Sequence, residues 1–145
     1  NNIIATDISK DALSIAKKNA DNHNVKDIDF KIHNFLETNI HSTYDVIISN
    51  PPYIGISELE NLQNEVKHYD PTIALTDNKD GLDFYRKFSE IGSALLNKNG
   101  LMLLEFGGKH QVAAITEIFE KENYSIHFHY DLQKCPRVVE VNLLS

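Results

Sequence analysis

The chain has 145 residues, 41% hydrophobic and 24% charged, which is enough for one domain with a core of its own. Its net charge of −7 argues against a polyphosphate as the main ligand, because nucleic-acid affinity rests on basic neutralisation. No apolar run approaches a membrane span, no signal-peptide pattern opens the chain, and the single cysteine, Cys135, has no internal disulfide partner; the composition fits a cytoplasmic protein without a membrane partner.

Periodicity switches repeatedly between strand and helix, the signature of an α/β sheet. Ile3–Asp7 reads as a short buried strand. Ser9 is a helix N-cap, and the helix runs to about Asn22 with Ala12, Leu13, Ala16 and Ala20 on one face. Ile28–His33 and Tyr44–Ser49 are the next strands. From Gly55 to Asn78 the pattern is irregular, a covering loop with a short helix around Glu58–Val66. Gly81 opens a helix with Leu82, Tyr85, Phe88, Gly92 and Leu95 on one stripe, stopped by Asn97-Lys98-Asn99-Gly100. Leu101–Leu104 lacks polar alternation, so a strand covered on both faces is expected. A helix from about His110 to Glu122 follows. Ile126, Phe128 and Tyr130 alternate as an edge strand, with His127 and His129 on its solvent face, and Val138–Leu143 pairs antiparallel to it. The seven histidines show no metal-ligand spacing, and no metal is expected.

In an open parallel sheet, ligands bind beyond the carboxyl ends of the strands. Polar residues stand at four such ends: Asp7, Asn34-Phe35, Asn50-Pro51-Pro52-Tyr53 and Glu105-Phe106-Gly107-Gly108. A carboxylate at Asp7 suits the two hydroxyls of a ribose, or else favours the helix that follows through its dipole. Asn34 with Phe35 suits an adenine edge and ring, or is an exposed loop asparagine. Two prolines after Asn50 fix φ twice and remove two backbone donors. A planar NH2 group docked there can donate to the Asn50 side-chain oxygen and to the Pro51 carbonyl, with the Tyr53 ring stacked beside it. The same four residues also suit a plain strand terminator with a packed tyrosine.

Taken together, these segments resemble the class I methyltransferases that use S-adenosylmethionine. Within them the chain is similar to the protein-(glutamine-N5) methyltransferases that modify peptide-chain release factors, the HemK/PrmC family. The likeness runs from Ile4 to about Val141. It rests on Asp7-Ile8-Ser9, on Asp45 through Ile54 with the Asn-Pro-Pro-Tyr turn, and on Tyr69-Asp70-Pro71. Asp80-Gly81-Leu82, Leu104-Glu105 with Gly107, and Arg137-Val138-Val139 complete it. The resemblance implies a Rossmann-like sheet, mostly parallel with a C-terminal antiparallel hairpin. It further implies S-adenosylmethionine as methyl donor and a Gly-Gly-Gln glutamine as acceptor. Asn50 and Pro51 would be catalytic; Pro52 and Tyr53 would line the acceptor slot; Asp7, Asn34, Phe35 and Asn50 would face the donor.

Three departures stand out. Asp70 takes a place where the family usually carries glutamate, one extra residue separates Gly107 from Gln111, and Lys134 replaces a usual glycine. All six glycines follow the Asn-Pro-Pro-Tyr turn, so the Gly-rich loop after the family's first strand is not in the chain. Residues 1–145 are therefore expected to be a partial catalytic domain that lacks the first βα unit and an N-terminal substrate domain, and to be inactive alone. The absent strand would lie between Ile3–Asp7 and Tyr44–Ser49. Two other readings use the same turn: a nucleic-acid adenine or guanine amino-methyltransferase, and a non-catalytic fragment of the fold.

Overall fold

Ile3–Asp7 (β1) and Ile28–Ile32 (β2) run parallel in unbroken register, Ile3 opposite Ile28 and Asp7 opposite Ile32, with helix Lys10–Asn22 (α1) as the crossover. The computed structural model describes residues 3–37, 41–61 and 71–144. The chain divides into two compact units, Asn1–Asn39 and Ile40–Ser145.

In the first unit Ser9 caps α1 as its residue type dictates: its Oγ accepts from the Ala12 N–H at 3.2 Å. Asn24, with φ 56°, stands in the left-handed region just past the helix. Ala12, Leu13, Ala16 and Ala20 form a half-buried stripe.

The second unit holds one sheet in the order β3-β4-β6-β5. Its strands are Tyr44–Ser49 (β3), Leu96–Glu105 (β4), Tyr124–Tyr130 (β5) and Pro136–Leu143 (β6). β3 and β4 are parallel; β4–β6 and β5–β6 are antiparallel, as the helix-free connection between the last two requires. Met102 and Leu104 of β4 pair with Val141 and Val139 of β6, and all four are fully buried. Helices Asp83–Leu95 (α3) and Val112–Glu120 (α4) supply Tyr85, Phe88, Leu95, Ile115 and Phe119 to the same core. Each such side chain contributes roughly 1.5–3 kcal/mol of burial. Gly92 lets α3 approach the sheet, since a Cβ there would stand 2.9 Å from the Met102 methyl.

The structure corrects five expectations. β1 is not a buried strand among the described residues: Ile3, Thr6 and Asp7 are exposed, and Ile4 and Ala5 are half-buried. β4 starts at Leu96, not Leu101: Leu96 pairs with Tyr44, and residues 97–100 form an irregularity within the strand, with Asn99 at φ 66°. Leu101–Leu104 is not covered on both faces among the described residues. Leu101 and Leu103 are half-buried, and their β3 neighbours Val46 and Ile48 are 51% and 76% exposed. α3 begins at Asp83, because Gly81 has φ 79° and cannot be helical. In place of one helix from His110, a 3₁₀ turn Lys109–Gln111 leads into α4. The loop after β3 carries a 3₁₀ turn, Ile56–Asn61, and a short helix, Thr72–Leu75 (α2). The rest of the helix expected to Val66 lies outside the described residues, as do Tyr69 and Asp70.

Tyr85 links core to site. It is fully buried, its hydroxyl donates to the Glu105 carbonyl at 2.5 Å, and burial raises its pKa far above the ordinary phenol range, so it stays a donor. Tyr85→Phe is expected to cost about 1–3 kcal/mol by leaving that carbonyl unsatisfied. A lower urea midpoint with an unchanged m-value would verify it.

Candidate active site

β3 ends at Ser49, and the turn Asn50-Pro51-Pro52-Tyr53 follows at its carboxyl end. Pro51 is buried, Pro52 and Tyr53 are half-buried, and Asn50 is exposed, so the prolines root the turn while the asparagine amide faces outward. Beyond it the chain is tied down by backbone hydrogen bonds, Ile54 N–H to the Leu75 carbonyl at 2.9 Å and Ile56 N–H to the Lys79 carbonyl at 2.8 Å.

The loop before α3 explains the Asp-Gly-Leu motif. Gly81 packs against the Tyr53 carbonyl so closely that a Cβ would stand 2.2 Å from the oxygen. The Asp77 carboxylate holds this loop, accepting from Lys79 and Gly81 N–H through Oδ1 (2.8 and 3.0 Å) and from Asp83 N–H through Oδ2 (3.0 Å). Asp80 is bound by Arg86 and by the Leu82 N–H, and Asp83 by Arg86 and Lys79. These three aspartates lie close together, and this loop and its basic neighbours occupy their oxygens.

The end of β4 forms the other wall. Glu105 is half-buried, and the Tyr53 hydroxyl donates to its Oε1 at 3.5 Å, a long contact. Burial raises the Tyr53 pKa; the Glu105 carboxylate adds to the rise and Arg137 opposes it, which keeps the phenol neutral. Arg137 donates from Nη1 to the Gly107 carbonyl at 2.9 Å and from Nε to Asp131 at 3.3 Å. The buried Gln111 donates from Nε2 to the Tyr53 carbonyl at 2.8 Å and accepts the Gly107 N–H at Oε1, also at 2.8 Å. Lys134 has φ 59°, the left-handed region that favours glycine.

The structure thus brings Pro51, Pro52 and Tyr53 together with Glu105, Gly107, Gln111 and Arg137. In the sequence Glu105 stands at a strand end without an evident role, and Gln111 does not stand out as a site residue. The only signal for the latter was the altered spacing from Gly107.

Asp7, Asn34 and Phe35 belong to the first unit. Asp7 is exposed at the end of β1, and its Oδ1 accepts the Ser9 N–H at 2.7 Å. Asn34 Oδ1 accepts the Leu36 N–H at 3.3 Å, and Phe35 meets His33 edge-on at 6.5 Å.

Parallel strands that carry polar turns at their carboxyl ends and close with an antiparallel pair define the class I methyltransferase fold. A solved methyltransferase from Pyrococcus furiosus superposes with a TM-score of 0.68 over 97% of this chain and 61% of its own, at 19% identity. The chain belongs to the family described as Eco57I restriction-modification methylase, whose model matches residues 1–104. It is also homologous to a "Bifunctional methyltransferase" of Rickettsia bellii, 42% identical over 98% of this chain and 26% of that protein. The "Release factor glutamine methyltransferase" of Clostridium acetobutylicum is 37% identical over 94% of this chain and 49% of that protein. The chain spans between a quarter and a half of these relatives' lengths. Among the described residues no helix is long and apolar enough to cross a membrane.

Proposed function

We propose that this chain supplies the acceptor-gripping part of an enzyme that methylates the side-chain amide nitrogen of a glutamine, the one in the Gly-Gly-Gln motif of peptide-chain release factors. The observation that carries this reading is the Asn-Pro-Pro-Tyr turn, rooted through buried Pro51 with Asn50 exposed at the carboxyl end of β3. The homologues named for that activity support the choice of acceptor.

The two N–H groups of the glutamine amide would donate to Asn50 Oδ1 and to the Pro51 carbonyl. This holds the amide plane and directs nitrogen lone-pair density out of it. Pro52 and the Tyr53 ring would flank the plane. S-adenosylmethionine, when bound, supplies an electrophilic sulfonium methyl. No strong general base is needed, because the proton can leave after transfer; positioning and electrostatics carry the acceleration. The donor-side residues fit in part. Asp7 is exposed and spends one carboxylate oxygen on Ser9, and a carboxylate has about four acceptor sites, so it retains capacity for ribose hydroxyls. Asn34 and Phe35 would meet the adenine. Release factors place the work in the cytoplasm.

A second reading, transfer to an exocyclic amine of a nucleic-acid base, is favoured by the family's restriction-modification description and by the ability of the same turn to hold a flipped base. The test uses the complete gene product with labelled S-adenosylmethionine, a release factor and duplex DNA. Label on the Gly-Gly-Gln glutamine is expected. Label on DNA alone would overturn the protein-glutamine reading.

A further inference from the structure

We propose that Gln111 is a positioning residue that sets the geometry of the acceptor turn. The proposal rests on the reading of Asn50–Tyr53 as the acceptor grip. The prolines lock φ at residues 51 and 52, which leaves the torsions around Tyr53 as the turn's main remaining freedom. Gln111 acts at that point. Its side chain is only 4% exposed, its Nε2 donates to the Tyr53 carbonyl at 2.8 Å, and its Oε1 accepts the Gly107 N–H at 2.8 Å. The adjoining Ile54 N–H is held by the Leu75 carbonyl at 2.9 Å, so the 53–54 peptide plane is gripped at both polar ends. Gly107 admits the amide, since a Cβ there would stand 3.0 Å from Gln111 Oε1.

One short side chain therefore joins the acceptor turn to the loop that follows Glu105. A buried amide satisfied at both ends holds its partners firmly, whereas losing it strands a carbonyl and an N–H together. Tyr53 and Glu105, which face each other at 3.5 Å, keep their spacing through this bridge.

Two variants of the complete gene product test the role. Gln111→Leu removes both hydrogen bonds. Gln111→Glu keeps an oxygen for the Gly107 N–H, and once ionised it has no hydrogen to donate to Tyr53. Burial raises the carboxyl pKa, so exchange is compared with the parent at a pH above its ionisation, followed by NMR. Amide exchange at Ile54, read by NMR, is expected to rise about tenfold in both, the size of one lost hydrogen bond. Gly107 should lose protection only in Gln111→Leu. Turnover on a Gly-Gly-Gln acceptor should fall about fivefold or more in both, while affinity for S-adenosylhomocysteine stays within about twofold. Parent-like Ile54 exchange in folded Gln111→Glu with its carboxyl ionised would overturn the proposal, even if Gln111→Leu fails to fold. Faster Ile54 exchange in a protein that methylates no release factor would uphold the positioning role and refute the acceptor assignment alone.

Discussion

Asn50→Ala in the complete gene product is expected to lower methyl transfer by about a hundred- to a thousandfold, the range seen when one preorganised polar contact to a reacting group is removed. Affinity for S-adenosylhomocysteine and thermal stability should hardly move. Asn50 is exposed at the end of β3, so its side chain contributes nothing to the core formed by Met102, Leu104, Val139 and Val141. Its proposed task is to accept one amide hydrogen from the acceptor and so fix the plane in which the nitrogen attacks. Removing it frees the acceptor to rotate while the Pro51 carbonyl and the Tyr53 ring remain. Single-turnover methylation, with calorimetric titration of S-adenosylhomocysteine alongside, separates the two effects. Unchanged turnover would remove Asn50 from the reaction.

Gly81→Ala is expected to cost roughly 2–5 kcal/mol, the sum of left-handed backbone strain and overpacking. At φ 79° a side chain is disfavoured in any surroundings, and here the added Cβ would stand 2.2 Å from the Tyr53 oxygen and 2.7 Å from its carbon. Both are backbone atoms and neither can swing aside. Relief must come from moving either the 77–83 loop, which three Asp77 hydrogen bonds hold, or the acceptor turn itself. Stability and methyl transfer should therefore fall together. Gly55→Ala is the natural control: its Cβ would meet the Asp80 oxygen at 3.4 Å, an ordinary contact, and a cost under about 1 kcal/mol is expected. Urea unfolding of the pair would check the contrast, and equal midpoints would refute it.

Much of this architecture was legible in the chain because it is written in short-range signals. Among the described residues, alternation, unbroken apolar runs and period-3.6 patterns located the six strands and the three longer helices, Ser9 announced its cap, and the prolines after Asn50 marked a rigid turn at a strand end. The likeness to release factor glutamine methyltransferases was readable for the same reason, since its motifs are contiguous. Boundaries fared worse where strand pairing overrode local preference. Leu96 joins β4 because Tyr44 lies beside it, although Asn97–Gly100 reads as a turn.

Tertiary structure alone decided what surrounds the turn. The contact of Gln111 with Tyr53 spans 58 residues, that of Tyr53 with Glu105 spans 52, and that of Arg137 with Gly107 spans 30. Each ends on a backbone group or a carboxylate whose position follows from strand order, not from neighbouring residue types. The same holds for Gly81: its sequence shows a glycine, and only the fold shows the carbonyl that leaves no room for anything larger. Sequence determined which groups can hold a planar amide, because side-chain chemistry is local. The fold decided which groups hold those groups still, because hydrogen-bond partners are chosen by distance in space.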